Sequence, residues 1–393
     1  MPFAIYLLGL AVFTQGTSEF MLSGLVPDIA SDLNVSVPAA GALTSAFAAG
    51  MIVGAPLVAI LSLRWPRRRA LLVFLITFML VHVAGAVTTS FGVLLATRVL
   101  GALATAGFLA VAVATAAGMA GPDAKGRATS VLLGGVTLAC VAGVPAGAVL
   151  GQLWSWRVAF WAVAVLSVPA VFAVLRSVPA TAPDPAAPSA RRELRALRRP
   201  RVLVTLCLAA LVNGATFCSF TYLALLVTDV SGYGQGWVPA LLAIFGLGSF
   251  VGVTVAGRMS DARPMRLLVT GGPALLIGWL LFTITAGNPV AAFLLVFVQG
   301  ALSFAVGSTL ITQVLYAAVE APSLGGSFAT VALNVGATVG PLLGGVTIGA
   351  GLGYRSPLWV SALLVALAIV AAGLAQAARQ RTGTESRRKV TAS

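Results

Sequence analysis

Long apolar runs follow one another along almost the whole chain, and short polar segments separate them. The runs are too long for barrel strands and lack the alternation of apolar and polar positions that strands show. Because a bilayer admits only helices or closed barrels, each run predicts a membrane-spanning helix. The twelve predicted helices lie at 4–27, 38–62, 70–89, 92–118, 128–151, 157–178, 202–228, 237–256, 266–286, 290–318, 324–349 and 357–378.

The composition supports an all-α polytopic membrane protein. Of 393 residues, 59% are hydrophobic and only 9% are charged, and the mean hydropathy is +1.02. A soluble domain is about a quarter charged, and a disordered chain has low hydrophobicity. The composition therefore excludes both of these classes.

The basic residues lie almost entirely in alternate segments between the predicted helices. Of the 24 Lys and Arg residues, all but three fall on one side of the predicted bundle. The exceptions are Arg157 and Arg355 on the other side and Arg98 inside a helix. The positive-inside rule then predicts that both termini lie in the cytoplasm. The net charge of +14 reflects this orientation, so we expect no nucleic-acid partner.

A Pro/Ala-rich and then basic segment divides the predicted helices into two sets of six. We expect an N-terminal bundle at 1–178, a cytoplasmic linker at 179–200, a C-terminal bundle at 201–378 and a basic cytoplasmic tail at 379–393.

The two halves repeat each other at an offset close to 198 residues. Gly50 and Gly54, which follow Phe47, correspond to Gly248 and Gly252, which follow Phe245. Two shorter matches pair Gly101 with Gly300 and Arg157 with Arg355. These matches predict two pseudo-symmetric six-helix bundles, an organisation typical of transporters that bind substrate near the membrane midplane.

Glu19 is the one acidic residue well inside a predicted helix. An acid at this depth is costly and normally faces a cavity, and low dielectric favours its neutral form. Gln15 lies one turn earlier on the same face. We interpret Glu19 as a proton site that also contacts substrate together with Gln15, with a purely structural partner of a buried donor as the alternative.

Arg98 is the single mid-helix arginine and needs a carboxylate or carbonyl partner. Glu19 is the candidate inside the membrane, which gives Arg98 either a role in proton coupling or that of a structural clamp. His82 is the sole histidine; it suits proton transfer, but it also suits a simple hydrogen-bonded role.

Two further sets of residues are candidates for gating and for substrate contact. Small residues and proline in the fifth predicted helix, Gly143, Pro145 and Gly147, predict close packing and a bend. Polar and aromatic residues of the second half are candidates for lining a cavity: Asn213, Phe217, Tyr222, Gln299 and Asn334. The three cysteines, Cys140, Cys207 and Cys218, show no metal-ligand spacing, and we expect neither a metal nor another cofactor.

Several motifs resemble those of the major facilitator superfamily. The segment from Arg64 to Arg69 resembles its signature loop, although Leu63 and Pro66 replace the usual Asp and Gly. The second half keeps the acid as Asp261, so the resemblance implies gating by Arg64, Arg68 and Asp261. Arg98 with Gly101 resembles the motif for proton coupling in the fourth helix. The Gly143–Gly147 segment resembles the antiporter motif, which favours export.

Longer segments are similar to twelve-helix drug:proton antiporters and, more closely, to chloramphenicol-resistance exporters of actinobacteria. They are GTSEFMLSGLVPDIA, GVPAGAVLGQLWSWRVAFW and FTYLALL. The resemblance implies export of chloramphenicol-like antibiotics by a membrane protein, expected to be a monomer, that exchanges drug for protons. A sugar or metabolite exporter and a passive facilitator remain alternatives. No protease motif such as HExxH is present, so we expect no enzyme activity.

Overall fold

The structure is a computed structural model, and it describes residues 3–62, 65–120, 125–178, 199–259, 264–317 and 325–391. Within these ranges the chain forms helices and contains no strand. Twelve of the helices are long and apolar enough to cross a membrane. The predicted all-α fold with twelve membrane-spanning helices is therefore confirmed.

The spanning helices are numbered α1 to α12 in chain order. The first half consists of α1 Phe3–Phe20, α2 Val37–Ser62, α3 Arg67–Val87, α4 Phe91–Met119, α5, which comprises Lys125–Leu138 and Val144–Leu153, and α6 Trp156–Ser177. The second half consists of α7 Pro200–Thr221, α8 Val238–Met259, α9 Pro264–Thr285, α10 Pro289–Ala317, α11 Gly325–Gly349 and α12 Ser356–Thr391. The last helix continues into the segment predicted only as a basic tail.

Three of the predicted apolar runs are not regular α-helix throughout. A 3₁₀ turn at Met21–Gly24 ends α1, a π turn at Ala139–Gly143 divides α5, and a second π turn at Leu226–Val230 follows α7. In α5 the cause is local. Because Pro145 has no N–H, it cannot donate the regular helical hydrogen bond to the carbonyl of Val141.

The glycines of the internal repeat allow the same close contact between helices in both halves. A Cβ atom added to Gly50 would meet Ala102 of α4, and one added to its equivalent Gly248 would meet Phe297 and Ala301 of α10. Ala102 and Ala301 are themselves 199 residues apart. The α2–α4 contact thus recurs as the α8–α10 contact. In both, the two helices approach so closely that a side chain at the glycine positions would overlap the neighbouring helix.

The two halves are joined at the end of the bundle opposite to the chain termini. Tyr222 and Leu225, just after α7, share a buried cluster with residues of α2, of α6 and of the turn that follows α1. Ser45 Oγ of α2 donates to the carbonyl of Thr338 in α11 at 2.8 Å. At the termini end, a separate cluster around Ile5 and Val174 draws only on the first half among the described residues.

An ion pair anchors the short helix Val26–Asp32 to the start of α6. The Asp32 carboxylate accepts hydrogen bonds from Arg157 Nη1 and, at 3.1 Å, from Trp156 Nε1. The Arg157 hydrogen bond is the main cause that lowers the pKa of Asp32. The pair therefore stabilises the fold from the usual Asp pKa upward, and that contribution is lost as pH falls through the lowered pKa. Nearby Asp28 is half-buried, and desolvation raises its pKa.

Gly252→Ala is expected to destabilise the α8–α10 contact by about 1–3 kcal/mol, because the new Cβ would overlap the backbone of Ala301. The measurement is thermal unfolding of the purified protein in detergent. Gly257→Ala on the same helix is the control, since a Cβ there meets nothing within 4 Å. Equal melting temperatures for the two variants would contradict the proposed close packing.

Candidate functional site

Arg98 lies on α4 with 1% of its surface exposed, and its hydrogen bonds go to Ser18 of α1. Nη1 donates to Ser18 Oγ at 2.9 Å, and Nη2 donates to the Ser18 carbonyl at 2.7 Å. The guanidinium carbon also lies 4.5 Å from the ring centroid of Phe47 on α2, a cation–π distance. The charge is therefore held by a hydroxyl, a carbonyl and a ring.

His82 of α3 completes the hydrogen-bond network that begins at Arg98. Its Nδ1 lies 2.7 Å from the carbonyl oxygen of Phe78, which can only accept, so Nδ1 carries a proton. Its Nε2 lies 2.6 Å from Ser18 Oγ. Because Ser18 Oγ already accepts from Arg98, its own proton points to Nε2. This arrangement suits a neutral imidazole and corresponds to the hydrogen-bonded role considered for His82.

Glu19 follows Ser18 directly, next to the last residue of α1, and its side chain is partly exposed. Its carboxylate forms no ion pair with Arg98 within 4 Å, both residues being among those described. Arg98 nevertheless lies near Glu19, because it binds the adjacent residue Ser18. Ser18, and not the carboxylate that the sequence suggested, is thus the direct partner of Arg98, and Glu19 has a cation nearby but no contact that neutralises it.

Gln15, one turn before Glu19, is buried with an unsatisfied amide. Only 1% of its surface is exposed, and neither Nε2 nor Oε1 has a hydrogen-bond partner among the described residues. An unpaired buried amide costs about 1–3 kcal/mol, so this residue calls for an explanation. A polar substrate group that enters beside Glu19 would provide the missing hydrogen bonds.

Aromatic rings from both halves meet next to Glu19. The rings of Phe20 on α1 and Phe217 on α7 have centroids 5.6 Å apart. Phe20 also packs against Ala48 of α2 and Ala337 of α11 in the same cluster. The site predicted for substrate thus contains Gln15, Glu19 and Phe217 near a contact between the halves. Sequence reasoning did not identify Phe20, although it adjoins the acid.

The other predicted substrate residues form hydrogen bonds to backbone carbonyls of the second half. Asn213 donates to the Leu333 carbonyl at 2.7 Å, and Tyr222 donates to the Pro341 carbonyl at 2.9 Å. Asn334 bonds within its own helix, to the carbonyl of Thr330. Gln299 of α10 donates to the Leu275 carbonyl of α9 at 3.3 Å, which directs its amide toward α9.

Four of the six predicted gating residues lie within the described ranges. Gly143 and Gly147 are buried in α5 where it packs on α1, against Thr17 and Met21 respectively. Pro145 between them is partly exposed. Arg64 and Asp261 lie outside the described residues. Arg68 lines a groove beside α3.

Cysteine chemistry and metal binding find no support in the ranges that the structure describes. No group of three or more His, Cys, Asp and Glu residues is placed there to hold a metal ion. Cys140 and Cys218 are buried free thiols and Cys207 is an exposed one.

Comparisons with known proteins identify relatives over nearly the full length. A family model described as Major Facilitator Superfamily matches residues 8–330. A Streptomyces lividans protein named "Chloramphenicol resistance protein" is 58% identical over 375 residues, which cover 95% of this chain and 96% of the relative. The Escherichia coli K12 "Inner membrane transport protein YdhP" is 34% identical, with 92% and 93% covered.

A solved structure has the same fold. It is a bacterial homologue of the human lysosomal transporter Spinster in an inward-facing, occupied conformation, which matches with a TM-score of 0.77. The two chains are 17% identical, and the match covers 95% of this chain and 96% of the other.

Ser18→Ala is expected to lower the stability of the protein by about 1.5–3 kcal/mol, because it removes a hydrogen bond to a buried charge and leaves His82 Nε2 unpaired. Thermal unfolding in detergent measures the change. Ser23→Ala is the matched control: Ser23 is equally buried, but its hydroxyl bonds only to the nearby Phe20 carbonyl. A loss no larger than that of the control would mean that the network does not stabilise Arg98.

Gln15→Leu is expected to raise the melting temperature of the substrate-free protein and to weaken substrate binding about tenfold. Removing an unpaired amide relieves its desolvation cost, whereas bound substrate loses a hydrogen bond. Unfolding and equilibrium substrate binding are measured on the same preparations. Gln299→Leu is the control, because the Gln299 amide faces α9 and its loss should leave substrate affinity unchanged. A destabilised Gln15 variant with normal affinity would remove Gln15 from the site.

Proposed function

Because the chain belongs to the Major Facilitator Superfamily, we propose that it exports chloramphenicol-like antibiotics in exchange for protons, by alternating access. The observation that carries this proposal is the position of Glu19. Among the described acids, Glu19 alone lies within a membrane-spanning segment. It adjoins Phe20, which contacts the second half, and Ser18, which binds the buried Arg98. An acid so placed can bind a proton or substrate, and both sides of the membrane can reach it in turn.

The substrate class rests on the relative named for chloramphenicol resistance, which is 58% identical across the chain. The site fits such a drug, because chloramphenicol is a neutral molecule with an aromatic ring, hydroxyls and an amide. Phe20 and Phe217 offer ring contacts, and Gln15 and Glu19 offer hydrogen bonds. A neutral drug is then held by hydrogen bonding to Glu19 and not by charge pairing.

Arg98 supports proton exchange at Glu19 without forming an ion pair with it. Ser18 and Phe47 hold the guanidinium in place, so its charge stabilises an ionised Glu19 through space. A direct ion pair would compete with protonation. In the proposed cycle Glu19 gains a proton as drug leaves on the outer side, and it loses the proton on the inner side as drug binds.

The membrane potential is sufficient for useful export by this exchange. One proton that crosses 100 mV supplies about 2.3 kcal/mol, which supports a gradient of roughly fifty-fold for a neutral drug.

The described contacts between the halves, such as that of Ser45 with Thr338, lie at the end of the bundle opposite to the termini. In the orientation that we propose, the basic residues place both termini in the cytoplasm of a bacterial cell, and the joined end is the outer one. We propose a monomer in the cytoplasmic membrane with this orientation.

Glu19→Gln is expected to abolish proton-driven accumulation of labelled chloramphenicol in inverted vesicles, because glutamine cannot carry a proton. Drug binding to the purified variant should persist within about tenfold, since the amide retains hydrogen bonding. The control is Asp229→Asn, which changes an exposed acid that bonds only to its neighbour Thr228. An uncoupler should collapse accumulation by the wild type and by the control variant alike.

The same assay separates the alternatives. Accumulation by Glu19→Gln that still depends on the proton gradient would remove Glu19 from coupling. Uptake that equilibrates and ignores the uncoupler would identify a passive facilitator. If vesicles accumulate a sugar such as arabinose but no drug, the protein is a metabolite exporter on the same scaffold.

A further inference from the structure

A groove of about 540 Å³ opens beside α3 at the termini end of the bundle. Arg68 and Arg69 line its mouth, and Val73, Ile76 and Leu175 line its inner part. The first four belong to α3, and Leu175 belongs to the last turn of α6. Neither the proton site nor the substrate site uses these residues, so the groove needs an explanation of its own.

The two arginines at the mouth form no ion pair within the ranges that the structure describes. Arg69 lies 5.8 Å from the ring centroid of Trp65, which stacks on Phe74. Arg67 points elsewhere, because its Nη1 lies beside Gly118 of α4. Two neighbouring guanidinium groups thus present positive charge at one edge of the groove.

The inner part of the groove is apolar and faces away from the second half. Val73, Ile76 and Leu175 are each 38–39% exposed, and the main neighbours of α3 are α4 and α6. Ile76 lies eight residues beyond Arg68 on the same helix, which is about 12 Å along the helix axis. The apolar wall therefore runs from the charged mouth toward the middle of the bilayer.

We propose that this groove binds an anionic phospholipid. Guanidinium groups bind phosphate oxygens in pairs of hydrogen bonds, and basic pockets near the membrane surface attract anionic headgroups. One acyl chain would cover Val73, Ile76 and Leu175. A free phosphate ion would use the arginines but not the wall, and a zwitterionic lipid would bring its own positive charge to Arg68 and Arg69. Charge and shape together favour a lipid with net negative charge.

The test is a titration of the full-length protein in detergent with dioleoyl phosphatidylglycerol or dioleoyl phosphatidylcholine, followed by native mass spectrometry. We expect the wild type to bind phosphatidylglycerol more tightly than phosphatidylcholine. The double variant Arg68→Gln/Arg69→Gln should weaken phosphatidylglycerol binding about thirtyfold. The double variant Arg201→Gln/Arg258→Gln is the matched control, because it removes two exposed arginines from the second half and should leave affinity unchanged.

A steric variant separates a lipid from a phosphate ion. Ile76→Trp fills the space beside the apolar wall without a change of charge, and it should weaken phosphatidylglycerol binding at least tenfold. The control is Ile277→Trp, at an exposed isoleucine of α9, which should leave binding unchanged.

If Ile76→Trp has no effect and inorganic phosphate displaces the lipid, the groove binds a phosphate ion only. If both arginine pairs weaken binding equally, general surface charge accounts for it, and the proposal is wrong. Single Arg69→Gln, at an exposed side chain, replaces the double variant should that one fail to fold.

Discussion

A guanidinium group inside a bilayer must be solvated by the protein, and the centre of this molecule is arranged around that requirement. Arg98 of α4 donates two hydrogen bonds to Ser18 of α1, and its guanidinium group lies over the ring of Phe47 of α2. The Ser18 hydroxyl is in turn oriented by His82 of α3. Four helices of the first half therefore contribute to one buried charge. Loss of any partner leaves part of that charge unsolvated, so the network fixes how these helices pack.

Packing is repeated between the two halves, but chemistry is not. The offset that relates Gly54 to Gly252 places Phe217 at the position equivalent to Glu19, and Asn213 at the position equivalent to Gln15. Asn213 is satisfied by the Leu333 carbonyl, whereas Gln15 lacks a partner. At these two pairs of equivalent positions, the first half therefore carries the acid and the unpaired amide. The second half contributes the ring of Phe217, which packs against Phe20.

Local features of the sequence predicted most of the fold, because span length, apolar content and glycine spacing do not depend on distant residues. The partner of Arg98 was harder to predict. Ser18 and Glu19 are adjacent in sequence but differ by about 100° around the helix, so only the helix's rotation decides which one faces α4. Gln299 illustrates the same limit: its amide points to α9 because of tertiary packing. The π turn after α7 at Leu226–Val230 contains no proline that would have predicted it from the sequence.

The division of contacts within and between the halves bears on how coupling would work. Ser18, Phe47, His82 and Arg98 all belong to the first half, so a rocking motion of the halves leaves their network intact. The ring contact of Phe20 with Phe217 and the hydrogen bond of Ser45 with Thr338 cross between the halves, and such contacts must change. In the proposed cycle the field of Arg98 at Glu19 is therefore nearly constant. Coupling then arises from which side of the membrane can reach Glu19, and from whether drug or a proton occupies it.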